Sequence, residues 1–468
     1  MAKKSSGKTK KPKHPKATAP EATPAAQPES RLTRVLAGPT FAQPEPTADP
    51  TTFRVNHPSD GPAYKEIDEL NAEHKIFPLP FPAPRGGTEP KLAFVDVLGG
   101  NSAAIERITE AGQIVFHATG DCGSTSGPQS QNQVADKMVG DFQESDASQI
   151  PQFNFLLGDI VYSFGESQYY YDQFYEPYRN YPAPILAVAG NHDGMVSPLA
   201  HAQSLAAYLR NFCAEGFGIA PDAGGLSRTA QIQPGVFFTF DAPFVRIIAL
   251  YSNTLEDPGY LSGPTIGTTQ LDYLAAALAR VKSENYTGAL LIADHHPPYT
   301  AGGQHGWSVE LQAQIDQICN QTGVWPHAFL SGHAHNYQRF TRTRSVDQTQ
   351  IPYIVCGNGG HNVVALAKPG TPALRTPQVI QAASSTQDQV VLENYDDQNY
   401  GYLRLVVSAT QLRIEYHPAS DGTAAKTPDD FVTVDLASRL FVHFQGRDLG
   451  RPAAAAKIAK LKKAQRRG

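Results

Sequence analysis

Five short apolar runs, each ending at a glycine or an acid followed by polar side chains, constrain this chain more than any other feature. They are Gln113–Ala118 before Gly120-Asp121, Phe153–Leu157 before Gly158-Asp159 and Pro184–Ala189 before Gly190-Asn191. Ala289–Ala293 before Asp294-His295 and His327–Leu330 before Gly332-His333 complete the set. Runs this short, bounded by Gly and Pro, read as buried strands. Helical patterns separate them, at 131–145, 166–179, 268–284 and 308–322; in the third, Leu271, Leu274, Ala275, Leu278 and Val281 recur at helical spacing. Strand–helix alternation predicts an α/β sheet, whose ligands gather at the carboxyl ends of strands, and all five clusters sit at such ends. Hairpins are predicted at 236–250 and 402–416, and a short helix capped by Asn101 at 101–110. The polar, Pro/Thr/Gln-rich stretch 366–399 reads as a long surface loop. Tyr169, Tyr170, Tyr171, Tyr175 and Tyr178 read as one helix face packed on the sheet.

Charge and composition divide the remaining chain. Residues 1–16 carry seven lysines and no acid, and residues 451–468 carry seven Lys/Arg and no acid. Setting those fourteen aside leaves 25 basic against 44 acidic residues, so residues 17–450 stand at -19 within a whole-chain charge of -5. Solvated tails are the plain expectation; binding of anionic polymers or surfaces is the weaker alternative. The domain plan is a disordered basic, Pro-rich tail at 1–50, an N-terminal extension packed on the core at 51–110, the main domain at 111–420 and a C-terminal extension with a basic tail at 421–468. Large apolar residues are too few in the first 50 to offset ordering entropy. Phe77–Pro82 reads as an extended segment laid on a surface. No run of about 18 apolar residues predicts a membrane-spanning helix. The N-terminus lacks the apolar stretch of a secretory signal, and four widely spaced cysteines form no paired pattern. A reducing, cytoplasmic setting is expected.

The polar clusters make chemical sense together. A hard, highly charged ion prefers carboxylate or phenolate oxygen, while a divalent ion accepts imidazole and amide oxygen. The clusters offer Asp121, Asp159, Tyr162, Asn191, His295, His333 and His335. An aspartate can bridge two ions about 3.5–4 Å apart, and such a pair clamps a phosphate and activates a water. His333 and His335, two apart on an extended segment, project to one side of the backbone. Taken singly, Asp121 and Asp159 have a plainer reading as capping carboxylates at strand ends and Tyr162 as an ordinary half-buried tyrosine, whereas His333-Ala334-His335 between glycine-flanked strand signals has few structural uses. His295 is favoured as the ligand of its pair, with His296 structural beside Pro297 and Pro298. His305 and His361 read as solvated loop histidines, and Cys122 as packing.

In this order the five clusters resemble the calcineurin-like metallophosphoesterase superfamily, and within it the purple acid phosphatases. Gly123 stands where the general superfamily has a ligating His, while Tyr162 stands three residues after the second aspartate, as in the purple acid phosphatases. Asn336-Tyr337-Gln338-Arg339 and Gly357-Asn358-Gly359-Gly360 add to the likeness, which covers residues 112–417. The resemblance implies a four-layer αββα sandwich of two mixed β-sheets flanked by helices, with the catalytic domain at 111–420. It also implies a ferric ion on Asp121, Tyr162 and His335, a divalent ion (Fe, Zn or Mn) on Asn191, His295 and His333, and Asp159 bridging. His192 would contact phosphate and protonate the leaving group, with a metal-bound hydroxide as nucleophile. The activity implied is hydrolysis of phosphate monoesters on a phosphorylated small molecule. A phosphodiesterase on the same centre, or a tail-driven binding protein with a vestigial site, are the alternatives. Asp193 and Gln338 stand where the subfamily usually has Glu.

Overall fold

The structure, a computed structural model, describes residues 38–42, 62, 65–66, 81–196, 203–254, 259–263, 266–303, 305–380, 387–420 and 427–442. Both basic tails, and residues 77–80 of the extended segment expected at 77–82, lie outside the described residues. In chain order the strands begin with β1 (Lys91–Ala93), β2 (Gln113–Thr119), β3 (Pro151–Leu157), β4 (Ile185–Val188), β5 (Phe238–Ala242), β6 (Val245–Ala249) and β7 (Ala289–Ala293). They continue with β8 (Ala328–Ser331), β9 (Tyr337–Thr343), β10 (Gln350–Cys356), β11 (Gln378–Ile380) and β12 (Gln389–Asp396). β13 (Gly401–Ser408), β14 (Gln411–Pro418) and β15 (Asp430–Asp435) complete them. One sheet has nine strands in the order β1-β5-β6-β7-β8-β10-β9-β12-β11, the other six in the order β15-β14-β13-β2-β3-β4. Both are mixed: β2, β3 and β4 run parallel, as do β6, β7 and β8, while both predicted hairpins pair antiparallel.

Alternation along the strands separates the layers. On β3, Phe153, Phe155 and Leu157 join Ala289, Leu291 and Ala293 of β7 in one apolar cluster between the sheets. The intervening Leu156, Leu290 and Ile292 join a second cluster with the helices outside. That cluster holds Val134 and Met138 of α2 (Gln129–Gly140), Leu274 and Leu278 of α3 (Thr269–Ser283) and Leu311 and Ile315 of α4 (Val309–Thr322). Successive side chains of a strand point to opposite faces, so a fully apolar strand serves both clusters. Each such Leu, Ile or Phe, fully buried, contributes about 1.5–3 kcal/mol. The result is the expected sandwich of two mixed sheets with helices on the outer faces. Earlier in the chain, α1 (Ser102–Glu110) starts as the sequence indicates, with Asn101 Oδ1 accepting the Ala104 N–H.

Two expectations are corrected. Residues 366–399 are not one loop: β11 and β12 lie in them, and β12 pairs antiparallel with β9. Val390 and Leu392 turn inward between half-exposed neighbours, an alternation that the surrounding polar residues conceal. The segment 166–179 is not an α-helix; it contains a tight turn at Ser167–Tyr169 and a widened π-turn at Tyr171–Tyr175. Tyr169, Tyr170, Tyr175 and Tyr178 are buried as expected, and Tyr171 is half-buried. The wide turn carries Gln173, whose amide clasps the backbone N–H and C=O of Tyr162, each at 2.8 Å. All four cysteines are free and buried.

Candidate metal centre

The carboxyl ends of β2, β3, β4, β7 and β8 converge on one point, each followed by a polar loop. Three residues there, Asp121 (φ 55°), Asp159 (φ 52°) and His333 (φ 67°), hold left-handed backbone without being glycine. Each such conformation costs on the order of 1–3 kcal/mol, and persists only where surrounding contacts over-determine it. Here they aim side chains inward: Asp121, Asp159, Tyr162, Asn191, His295, His333 and His335 are all buried.

These side chains form two groups that share an atom. The Tyr162 hydroxyl lies 3.0 Å from Asp121 Oδ1, 3.1 Å from Asp159 Oδ2 and 3.3 Å from His335 Nε2. His335 Nε2 also lies 3.3 Å from Asp121 Oδ1. In the second group, His295 Nε2 lies 2.9 Å from Asn191 Oδ1, 3.3 Å from His333 Nδ1 and 3.2 Å from Asp159 Oδ2. Asp159 Oδ2 is common to both.

This arrangement has too few protons for its lone pairs. In the first group one phenol hydrogen lies between two carboxylate oxygens. His295 Nδ1–H donates to the Leu157 carbonyl at 2.8 Å, so in the neutral ring Nε2 turns a lone pair on its three neighbours. Donors at about 2.1 Å from a cation in octahedral array stand about 3.0 Å from one another, close to the separations seen here. The donor set therefore fits cations. Asp159, His295 and His333 alone bring three donor atoms within 4.8 Å of one another.

Without a cation, the same charges act on protons, which a bound metal would displace. Burial would raise the Asp159 carboxyl, but His295 and His192 outweigh it and hold the group below the usual carboxylate range. Burial would lower His295, yet Asp159 pushes it up to about 10. Burial first, and then Asp121 and Asp159, drive the Tyr162 phenol well above its ordinary value. A phenolate at this place thus requires a cation to offset it. Asp193 pins the loops: its carboxylate accepts the N–H of Gly190 at 2.9 Å and of Ile160 at 3.1 Å. Burial and Asp159 raise it to about 7.

His192 stands beside the cluster. Its Nδ1–H donates to the Ser163 carbonyl at 2.7 Å, leaving Nε2 4.0 Å from Asp159 Oδ2. Two histidines read as solvated are instead part of the site's wall. His361 stacks on Tyr162 with ring centres 3.7 Å apart, held by its N–H to the Asp121 carbonyl. His305 lies with its ring centre 4.3 Å from that of His333. The glycine run before His361 was the one available signal; for His305 spacing gives none. His296, read as structural, bonds through Nδ1 to Ser252 Oγ at 2.9 Å.

Two glycines are required by close approach. A Cβ on Gly123 would meet Ile160 O at 2.6 Å and Tyr162 Cδ2 at 2.9 Å, so the tyrosine ring takes the room that a side chain at 123 would need. A Cβ on Gly190 would overlap Asp159 Oδ1. Gly190→Ala is expected to displace Asp159 and cut bound metal below half of the wild-type content, read by elemental analysis of folded protein.

Residues 114–337, which contain all five clusters, match the family model described as calcineurin-like phosphoesterase. These residues form a domain of the calcineurin-like metallophosphoesterase superfamily. Among curated relatives of the superfamily domain, acid phosphatase A of Cryphonectria parasitica is 32% identical over 158 residues, covering 30% of this chain and 31% of that protein. The chain thus spans about a third of the length of the relative it matches. Among solved structures, a purple acid phosphatase from yellow lupin (Lupinus luteus) seeds aligns at 17% identity, TM-score 0.48, over 69% of this chain and 54% of that one. GAP50, the anchor in the inner membrane complex of Plasmodium, aligns at 14% identity, TM-score 0.45, over 66% and 86%. No helix among the described residues is long and apolar enough to cross a membrane.

Proposed function

We propose that the chain is a phosphohydrolase that cleaves phosphate monoesters at a centre of two metal ions. One observation carries the reading: Asp159 Oδ2 is the shared corner of two donor groups, one rich in oxygen and the other in nitrogen. Asp121, Tyr162 and His335 would hold a ferric ion, and Asn191, His295 and His333 a divalent Fe, Zn or Mn ion, with Asp159 bridging. The tyrosine filling the space at Gly123 supports the purple acid phosphatase variant of the superfamily. When bound, the ions polarise the phosphoryl group and supply a nucleophile from water at neutral pH.

The chain's own residues do the rest. The buried carboxylates Asp121 and Asp159 balance cationic charge, and the Leu157 carbonyl fixes the tautomer of His295. The Ser163 carbonyl orients His192 so that Nε2 faces the cluster, where it can contact phosphate and give a proton to the departing oxygen. The acid phosphatase likeness in a curated relative is consistent with a phosphorylated small molecule as substrate.

The test is metal analysis joined to spectroscopy and turnover. Folded protein is expected to bind two equivalents of metal, to show a visible phenolate-to-iron band that Tyr162→Phe removes, and to prefer nitrophenyl phosphate over its bis-ester. Fewer than two equivalents defeats the centre. Strong preference for the bis-ester replaces the monoesterase with a diesterase.

A further inference from the structure

An apolar cleft of about 670 Å3 opens along the loop that follows β7. One wall is the loop after β7, at Gly302, Gly306 and Trp307; the facing wall is Leu374 with Val379 and Ile380 of β11. Among the described residues, no side chain lining it is charged. The same loop carries His305, whose ring centre lies 4.3 Å from that of His333 and 5.1 Å from that of His335, so one loop reaches both the cleft and the donor cluster.

The start of that loop is held by a buried amide. Gln338, fully buried on β9, accepts the Ala301 N–H at 2.8 Å and donates to Thr300 Oγ1 at 3.2 Å. Its amide also donates to Asn336 Oδ1 at 2.8 Å. One neutral side chain thus ties the cleft wall to the strand that follows His335. Across the cleft, Val379 is 60% exposed on the edge strand, an apolar side chain that gains nothing from water.

We propose that this cleft receives the leaving group of the phosphoester, and that the group is uncharged and apolar. The proposal rests on the reading that the donor cluster takes the phosphate. A cleft with no charged side chain offers a phosphate dianion little, but it shelters apolar surface, and its volume falls in the range of about 300–1,000 Å3 usual for small-molecule sites. An ester spanning both would place its charge among the buried donors and its carbon skeleton against Trp307.

The test uses an open point in the wall. A Cβ on Gly306 meets nothing within 4 Å, so Gly306→Phe adds a ring to the cleft without a backbone clash. The ratio of kcat/KM for benzyl phosphate to that for glycerol phosphate is expected to fall roughly 10- to 200-fold, mainly through KM. Trp307→Ala should lower the same ratio.

A second readout needs no turnover. The chain has two tryptophans, Trp307 and Trp325. In a Trp325→Phe background, benzylphosphonate should shift Trp307 emission, methylphosphonate should not, and Gly306→Phe should abolish the shift. An unmoved ratio and an unshifted emission in an active enzyme overturn the cleft assignment. A retained shift with no turnover of any ester overturns the phosphohydrolase reading beneath it, leaving an apolar site for some other ligand.

Discussion

Asp159→Asn is expected to lower kcat/KM by about 10³–10⁴-fold, because in the proposed centre it would remove the one oxygen that serves both ions. Two-metal clamping is worth several kcal/mol of transition-state charge stabilisation, and about 1.4 kcal/mol corresponds to tenfold in rate. The substitution keeps the shape of the side chain and deletes its charge. That charge persists to lower pH than for an ordinary carboxyl, since His295 and His192 hold the group below its usual range despite burial. An amide can still accept the His192 N–H that now reaches Asp159 Oδ1 at 2.9 Å, so the loop after β4 has a partner and the fold should persist. The discriminating measurement is thermal unfolding with and without added metal. Ligands that bind the native state alone raise Tm; wild type should show the rise and Asp159→Asn should lose most of it. A variant Asp159→Asn that keeps two equivalents and the full Tm rise would remove Asp159 from the bridge.

The parts of this architecture that were legible in the sequence are those where one residue's environment is dictated locally. A run such as Ala289–Ala293 has no polar face to give to water, so it must be a strand buried on both sides, and its end must face the polar layer. The donor set followed from chemistry concentrated at five such ends. What escaped depends on partners distant in the chain. β12 is a strand because β9, some fifty residues earlier, offers it an edge; its polar composition suits a face that is half in water. The turn at Tyr171–Tyr175 widens in a stretch whose aromatic spacing fits a regular helix, and Gln173 there clasps Tyr162. His361 and His305 were misjudged because a histidine in a glycine-rich loop carries no signal of what the loop folds over. Only the packing brings one against Tyr162 and the other against His333.

His192→Ala should keep both metals and lose rate by about 10²–10⁴-fold, the usual contribution of a positioned general acid. The geometry separates it from the donors: Nε2 stands 4.0 Å from Asp159 Oδ2, whereas the donor atoms stand about 3 Å apart. The pH profile follows from its surroundings. Burial pushes the imidazole below its ordinary 6.5, against the pull of Asp159, and cations in the cluster would push it further down. A general acid works in its protonated form, so kcat/KM should decline as pH rises through a value below 6.5. His192→Ala should lose that alkaline limb. The size of the loss should also depend on the leaving group. Nitrophenolate departs readily without a proton, so the variant should suffer least on nitrophenyl phosphate and most on an alkyl phosphate. Equal loss on both esters, with metal content falling in step, would make His192 a ligand and leave the departing oxygen to be protonated by water or by His305.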